Sequence, residues 1–146
     1  MFHNNYAHFF SSGERLCVAG CGHVEDAQHL FLSCNTFSFL WPLVRLWIGF
    51  EWADTHVISD HFSQFTLYTC GLKLRRSFFQ LIWLICVWVV WNERNNMLFK
   101  LKENTIFQLL KKVKLYSLWW LKVKKTNFIF GTHMWWSSLL LCLGII

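Results

Sequence analysis

The sequence has a single proline, Pro42, and little charge: 15% of its 146 residues. Set against 55% hydrophobic residues, these shortages exclude a disordered, charge-rich segment. The length suits one domain, 1–146, able to bury a core without disulfides throughout. The N-terminus, MFHNNYAHFFSSGERLC, lacks the basic start and long apolar run of a secretory signal. The six cysteines are therefore read as reduced thiols, which places the chain inside the cell, in nucleus or cytoplasm. There is no internal repeat and no long Pro/Ser linker. Nothing orders the Ser, His and Asp residues into a nucleophile, a base and an orienting group, so no catalytic residue and no enzyme activity are expected.

The charge that is present is unevenly placed. Residues 1–72 carry two basic residues (Arg15, Arg45) and six acidic ones (Glu14, Glu25, Asp26, Glu51, Asp54, Asp60), a balance of −4. Residues 73–146 carry twelve basic residues and two acidic ones (Glu93, Glu103), a balance of +10. A basic half of this kind favours a polyanion, RNA or DNA, or an anionic membrane surface.

Within the acidic half, GERLCVAGCGHVEDAQHLFLSCN holds three glycines and three cysteines in a turn-rich stretch suited to wrapping an ion. The spacing Cys17-x3-Cys21-x7-His29-x4-Cys34 offers four soft or borderline ligands within eighteen residues. Zn²⁺ favours tetrahedral S and N ligands, and a Cys3His set leaves no position for substrate or activated water, which makes the expected site structural. Three thiolates and one divalent ion sum to −1, so backbone N–H groups and the flexible Gly20 and Gly22 should help hold the sulfurs. His23 is a second candidate for the imidazole ligand, and three free thiols with a surface histidine are the plain alternative to a metal. Cys70, Cys86 and Cys142 lie among apolar neighbours and read as small buried residues.

The rest reads as a mainly α chain, a zinc-stapled loop followed by three or four packed helices. Phe37 to Gly49 has helical apolar spacing at Phe37, Leu40, Leu43, Val44, Trp47 and Ile48; Gly49 ends it, and Pro42 falls in its first turn or kinks it. His56 to Cys70 is a looser second helix. A third runs from Phe78, with Ser77 as its cap, to about Phe99, and Glu93 and Arg94 read as a helix-terminal ion pair near its end, with a functional pair as the alternative. The segment Phe78 to Trp91 is apolar on nearly every side, so a membrane anchor is the alternative there, although its 14 residues fall short of the roughly 18 to 20 that span a bilayer. The fourth helix starts after Asn104 or Thr105, with Ile106, Leu109, Leu110, Val113, Tyr116 and Trp120 on one face and Lys111, Lys114 and Lys122 opposite. The parts are thus a zinc-binding loop and first helix, 13–49, and a basic, Trp-rich helical part, 73–130. Lys111, Lys112, Lys114, Lys122, Lys124 and Lys125 are the candidate phosphate contacts, with Trp119 and Trp120 able to stack on bases. A solvated lysine face over a core stripe is the plainer reading of the same pattern.

Cys17-x3-Cys21-Gly22, then Glu25, His29-Leu30-Phe31-Leu32-x-Cys34, Trp41 and Trp47-x-Gly49, together resemble the zinc-binding region near the C-terminus of plant LINE-type (non-LTR) retrotransposon reverse transcriptases. Trp88 to Asn96, VWVVWNERNN with the preceding Val87, resembles that family's Trp-x-x-Trp-x-x-Arg-Asn segment, and KVKLYSLWWLKVK and the Trp135-Trp136 tail extend the likeness over nearly the whole chain. The resemblance implies that Cys17, Cys21, His29 and Cys34 bind one Zn²⁺, and that a parent protein would be an RNA-directed DNA polymerase with an endonuclease. Neither activity is expected here: no Tyr-x-Asp-Asp motif is present, and the three Asp residues are dispersed at 26, 54 and 60. MFHNNYAHFF stands where the family has an apolar, Trp-containing segment before the first Cys, so the chain reads as an N-terminally truncated fragment. A non-functional retroelement remnant is a further alternative.

Overall fold

A computed structural model describes residues 15–49, 55–67, 73–99 and 103–124. The described residues are mainly helical, and their only β pairing is a single antiparallel bridge between Leu16 and Val24. A loop leads through a π-helical turn, His29–Ser33, and a 3-10 turn, Phe37–Phe39, into helix α1, Leu40–Ile48. Helices α2 (Ile58–Leu67), α3 (Lys73–Leu98) and α4 (Ile106–Lys124) follow. The expected mainly α architecture, a Cys/His loop ahead of packed helices, is what the chain adopts.

Local chemistry sets most of the boundaries. Gly49 stops α1 in a left-handed conformation, φ 88°, that a side chain would resist, and its N–H closes on the Arg45 carbonyl. Pro42 sits in the first turn of α1, where an amide donor would have no helical partner. Helix α4 opens on a reciprocal cap: Thr105 Oγ1 accepts the Gln108 N–H at 3.2 Å and Gln108 Oε1 accepts the Thr105 N–H at 2.7 Å. Helix α3 departs from expectation at its start. It begins at Lys73, so Ser77 lies inside it and is not its cap. The second helix begins at Ile58, two residues later than expected, and Cys70 lies outside the described residues.

Helix α3 is the axis of the core. Phe79, Ile82, Trp83, Cys86, Val89 and Val90 are buried along it, against Phe65 of α2, Leu109, Val113, Leu118 and Leu121 of α4, and Leu30 and Cys34 of the loop. Neighbours on several sides explain an apolar run with no single stripe. Among the described residues no helix is long and apolar enough to cross a membrane. Cys86 is fully buried, which pushes its thiol up and leaves it an inert core residue. In α4 the buried arc is rotated from the expected one: Leu118 is buried, whereas Trp120 is exposed. The cause is that α4 packs on both α1 and α3, so its contact arc is wider than one stripe.

Trp41, on the buried side of α1, joins three elements. Its indole N–H donates to the Phe31 carbonyl at 2.6 Å, and its ring meets His61, Phe65 and Trp83. His61 is itself buried and accepts the Trp83 indole N–H on Nδ1 at 2.9 Å. That acceptance fixes the tautomer of the imidazole, with its proton on Nε2.

Candidate metal centre

The ligand-bearing loop is shaped before any ion is considered. The Leu16–Val24 bridge closes a tight excursion in which the Cys17 N–H donates to the His23 carbonyl at 2.9 Å and the Gly20 N–H to the Cys17 carbonyl at 3.1 Å. Gly20 and Gly22 take φ of 83° and 80°, the left-handed region in which glycine alone is unstrained, and so turn the chain back within a few residues of Cys21. Asp26 then starts the helical turn that carries the other two ligands, its Oδ1 accepting the His29 N–H at 2.7 Å. Cys34 leaves that turn with its N–H on the His29 carbonyl.

The four side chains converge. One ligand atom from each of Cys17, Cys21, His29 and Cys34 lies within 4.8 Å of all the others. The Cys34 sulfur is 3.7 Å from that of Cys17 and 3.5 Å from that of Cys21. A tetrahedron with Zn–S bonds of about 2.3 Å has S···S edges of ~3.8 Å, so these separations suit one shared ion. They are far too long for a disulfide, and all three thiols are free. His29 supplies a further sign, because its Nε2 is buried without a hydrogen-bond partner. A buried, unpartnered nitrogen on an imidazole that reaches three sulfurs is what a metal would satisfy. His23, by contrast, is exposed and stands outside the cluster, its ring 5.5 Å from that of His29.

Donors surround the sulfurs. The Asn35 N–H points at Cys21 Sγ at 3.3 Å, and the N–H groups of Phe37 and Thr36 favour a thiolate at Cys34. Burial works against a Cys21 thiolate, but the Asn35 N–H and the Cys34 and Cys17 sulfurs outweigh it and hold the thiol below its ordinary value. At Cys34 burial wins and pushes the thiol up to about 12, with Cys21 and Cys17 adding to the rise. Three thiolates at these separations would repel one another, and a cation among them would relieve that repulsion. Donor set, spacing and orphaned nitrogen all fit a metal ion, and a closed Cys3His set leaves it no position for catalysis.

One buried ion pair ties this loop to the helices. Glu25 Oε1 accepts from Arg94 Nη2 at 2.6 Å and Nε at 2.9 Å, while its other oxygen accepts the Val18 N–H at 3.3 Å. Both side chains are almost fully buried, and Arg94 also lies over the Trp91 ring and donates to Asn95 Oδ1. The expected Glu93–Arg94 pair is therefore corrected. Consecutive helical residues diverge, and Glu93 instead accepts the Asn104 N–H at 2.6 Å and its Nδ2 at 2.8 Å. Glu25 and Arg94 belong to the two separate motif blocks singled out in the sequence, which the fold brings into contact.

The six candidate lysines do not share one environment. Lys111 and Lys122 are exposed and Lys112 half-buried. Lys114 lies on another side of α4, over the Trp47 ring at 5.7 Å, where burial lowers its pKa. The Lys124 side chain and Lys125 lie outside the described residues, as do Cys142 and the Trp135-Trp136 tail. Compared with protein-family models, curated proteins and solved structures, the chain matches none.

Proposed function

We propose that the chain is a structural zinc-binding module of the kind its motifs resemble, the C-terminal part of a LINE-type reverse transcriptase. In this reading it associates with nucleic acid through its basic half and has no polymerase or nuclease activity of its own. The convergence of three sulfurs and an orphaned imidazole nitrogen carries the metal reading. Zinc is favoured among metals because a sulfur-rich tetrahedral set with one imidazole suits it and no redox or Lewis-acid role is left open. Cys17, Cys21, His29 through Nε2 and Cys34 are the ligands. The ion staples a loop too rich in glycine and polar residues to hold itself. The nucleic-acid reading rests on the charge balance of +10 over residues 73–146.

Metal content of the chain purified under reducing conditions tests the first part. One zinc per chain is expected, lost from Cys34→Ser and retained by His23→Ala. Near-zero metal in an intact wild-type fold would overturn it.

A further inference from the structure

Helix α4 presents a stripe that is only partly covered by the core. At 3.6 residues per turn, Lys112, Tyr116, Trp119 and Val123 succeed one another along it, with Lys111 and Lys122 flanking. Trp119 is 53% exposed. From α3, Trp88 joins the same surface, 54% exposed, its ring edge-on to Tyr116 at 5.5 Å; Tyr116 in turn lies 5.7 Å from Trp119. The three rings are tilted, at 74° and 50°, so no two are stacked face to face, and Trp88 and Trp119 keep about half of their surface open. Half-exposed tryptophans beside lysines are a costly arrangement for a surface that binds nothing.

We propose that Trp88, Tyr116 and Trp119, with Lys111, Lys112 and Lys122, form a binding platform for single-stranded nucleic acid. This rests on the nucleic-acid-associated reading above and narrows it. Charge selects the polyanion: from Asn104 to Ile146 the sequence holds six lysines and no acidic residue. The rings select the single strand. Bases in a duplex are stacked on one another and closed to side chains, whereas unpaired bases offer π-faces to exposed aromatics. Lys114, held over Trp47, takes no part.

Fluorescence anisotropy with the full zinc-loaded chain tests this, using labelled oligothymidylate and a duplex of equal length over a range of salt. The single strand binds more tightly, and Trp119→Ala or Trp88→Ala weakens it about tenfold with the salt slope unchanged. Lys112→Gln also weakens it but lowers the slope by ~0.7. Both tryptophans are exposed enough for their variants to keep the fold, checked by circular dichroism. Equal or tighter duplex binding with neutral Trp variants would overturn the platform and leave lysine-driven nucleic-acid association standing. Binding to neither probe would bring down both. A wild-type dimer that becomes monomeric in Trp119→Ala, without oligonucleotide binding, would assign the surface to a second copy of the chain.

Discussion

The ligand loop and the α3–α4 hairpin reach order by opposite routes. The hairpin buries Phe79, Ile82, Val89 and Val90 against Leu109, Val113, Leu118 and Leu121, and apolar area at about 25 cal/mol per Å² supplies most of what holds it, with the Glu93–Asn104 hydrogen bonds fastening one end. Among their apolar side chains, residues 15–34 bury only Cys17, Leu30 and Cys34, and they owe their shape to directional partners: sulfurs, His29 and the Glu25–Arg94 pair. A segment poor in apolar atoms can be as well defined as a core helix, but its order is conditional on those partners. The hairpin's is not.

Chelation should break the comparison most visibly. With metal removed, amide protection over residues 16–34 is expected to fall by at least roughly a hundredfold while that of α3 and α4 changes far less, because metal-binding free energy is the loop's own folding free energy. Hydrogen exchange measures it, and an even loss across all helices would show that the two regions fold as one unit. A smaller effect separates the loop's two fastenings. Arg94→Met leaves the buried Glu25 carboxylate with Arg15, 4.0 Å away, in place of its close partner and should cost about 3 kcal/mol in urea unfolding, most of it recovered when Glu25→Leu is added. No recovery in the double variant would mean that the pair itself, not the stranded charge, supplies the stability. Smallest of all, Thr105→Ala removes one half of the α4 cap and should cost about 1 kcal/mol, read as a lowered melting temperature with metal content unchanged.

What could be read from the sequence was what is local. The four ligands fall within eighteen residues, so spacing alone grouped them, and Gly49 marked a helix end by a requirement of its own backbone. The start of α4 after Asn104 or Thr105 was legible from the apolar spacing that opens at Ile106. The Glu25–Arg94 pair was out of reach because 69 residues separate its members and either, taken alone, resembles a surface charge. Proximity along the chain even suggested the wrong partner, Glu93, although adjacent helical residues point apart. The rotated face of α4 was equally hidden, since periodicity reports that a helix has a buried side but not how many neighbours share it. Trp41 went unmarked as a hub because its contacts, to His61, Phe65 and Trp83, depend on how α1, α2 and α3 meet.

Glu93 and Arg94 are neighbours on one turn of α3, yet one fastens the entry to α4 and the other fastens the ligand loop. Both attachments are thus indexed to the same point on a single helix. A residue inserted between Val90 and Glu93 would swing the two side chains together by about 100° and shift them 1.5 Å along the axis, uncoupling the loop and α4 in one event. Point substitutions can loosen either end separately, but a change of length there cannot. In this part of α3 the chain has no tolerance for an insertion or a deletion, and one insertion variant, assayed for both metal retention and helix content, is enough to show it.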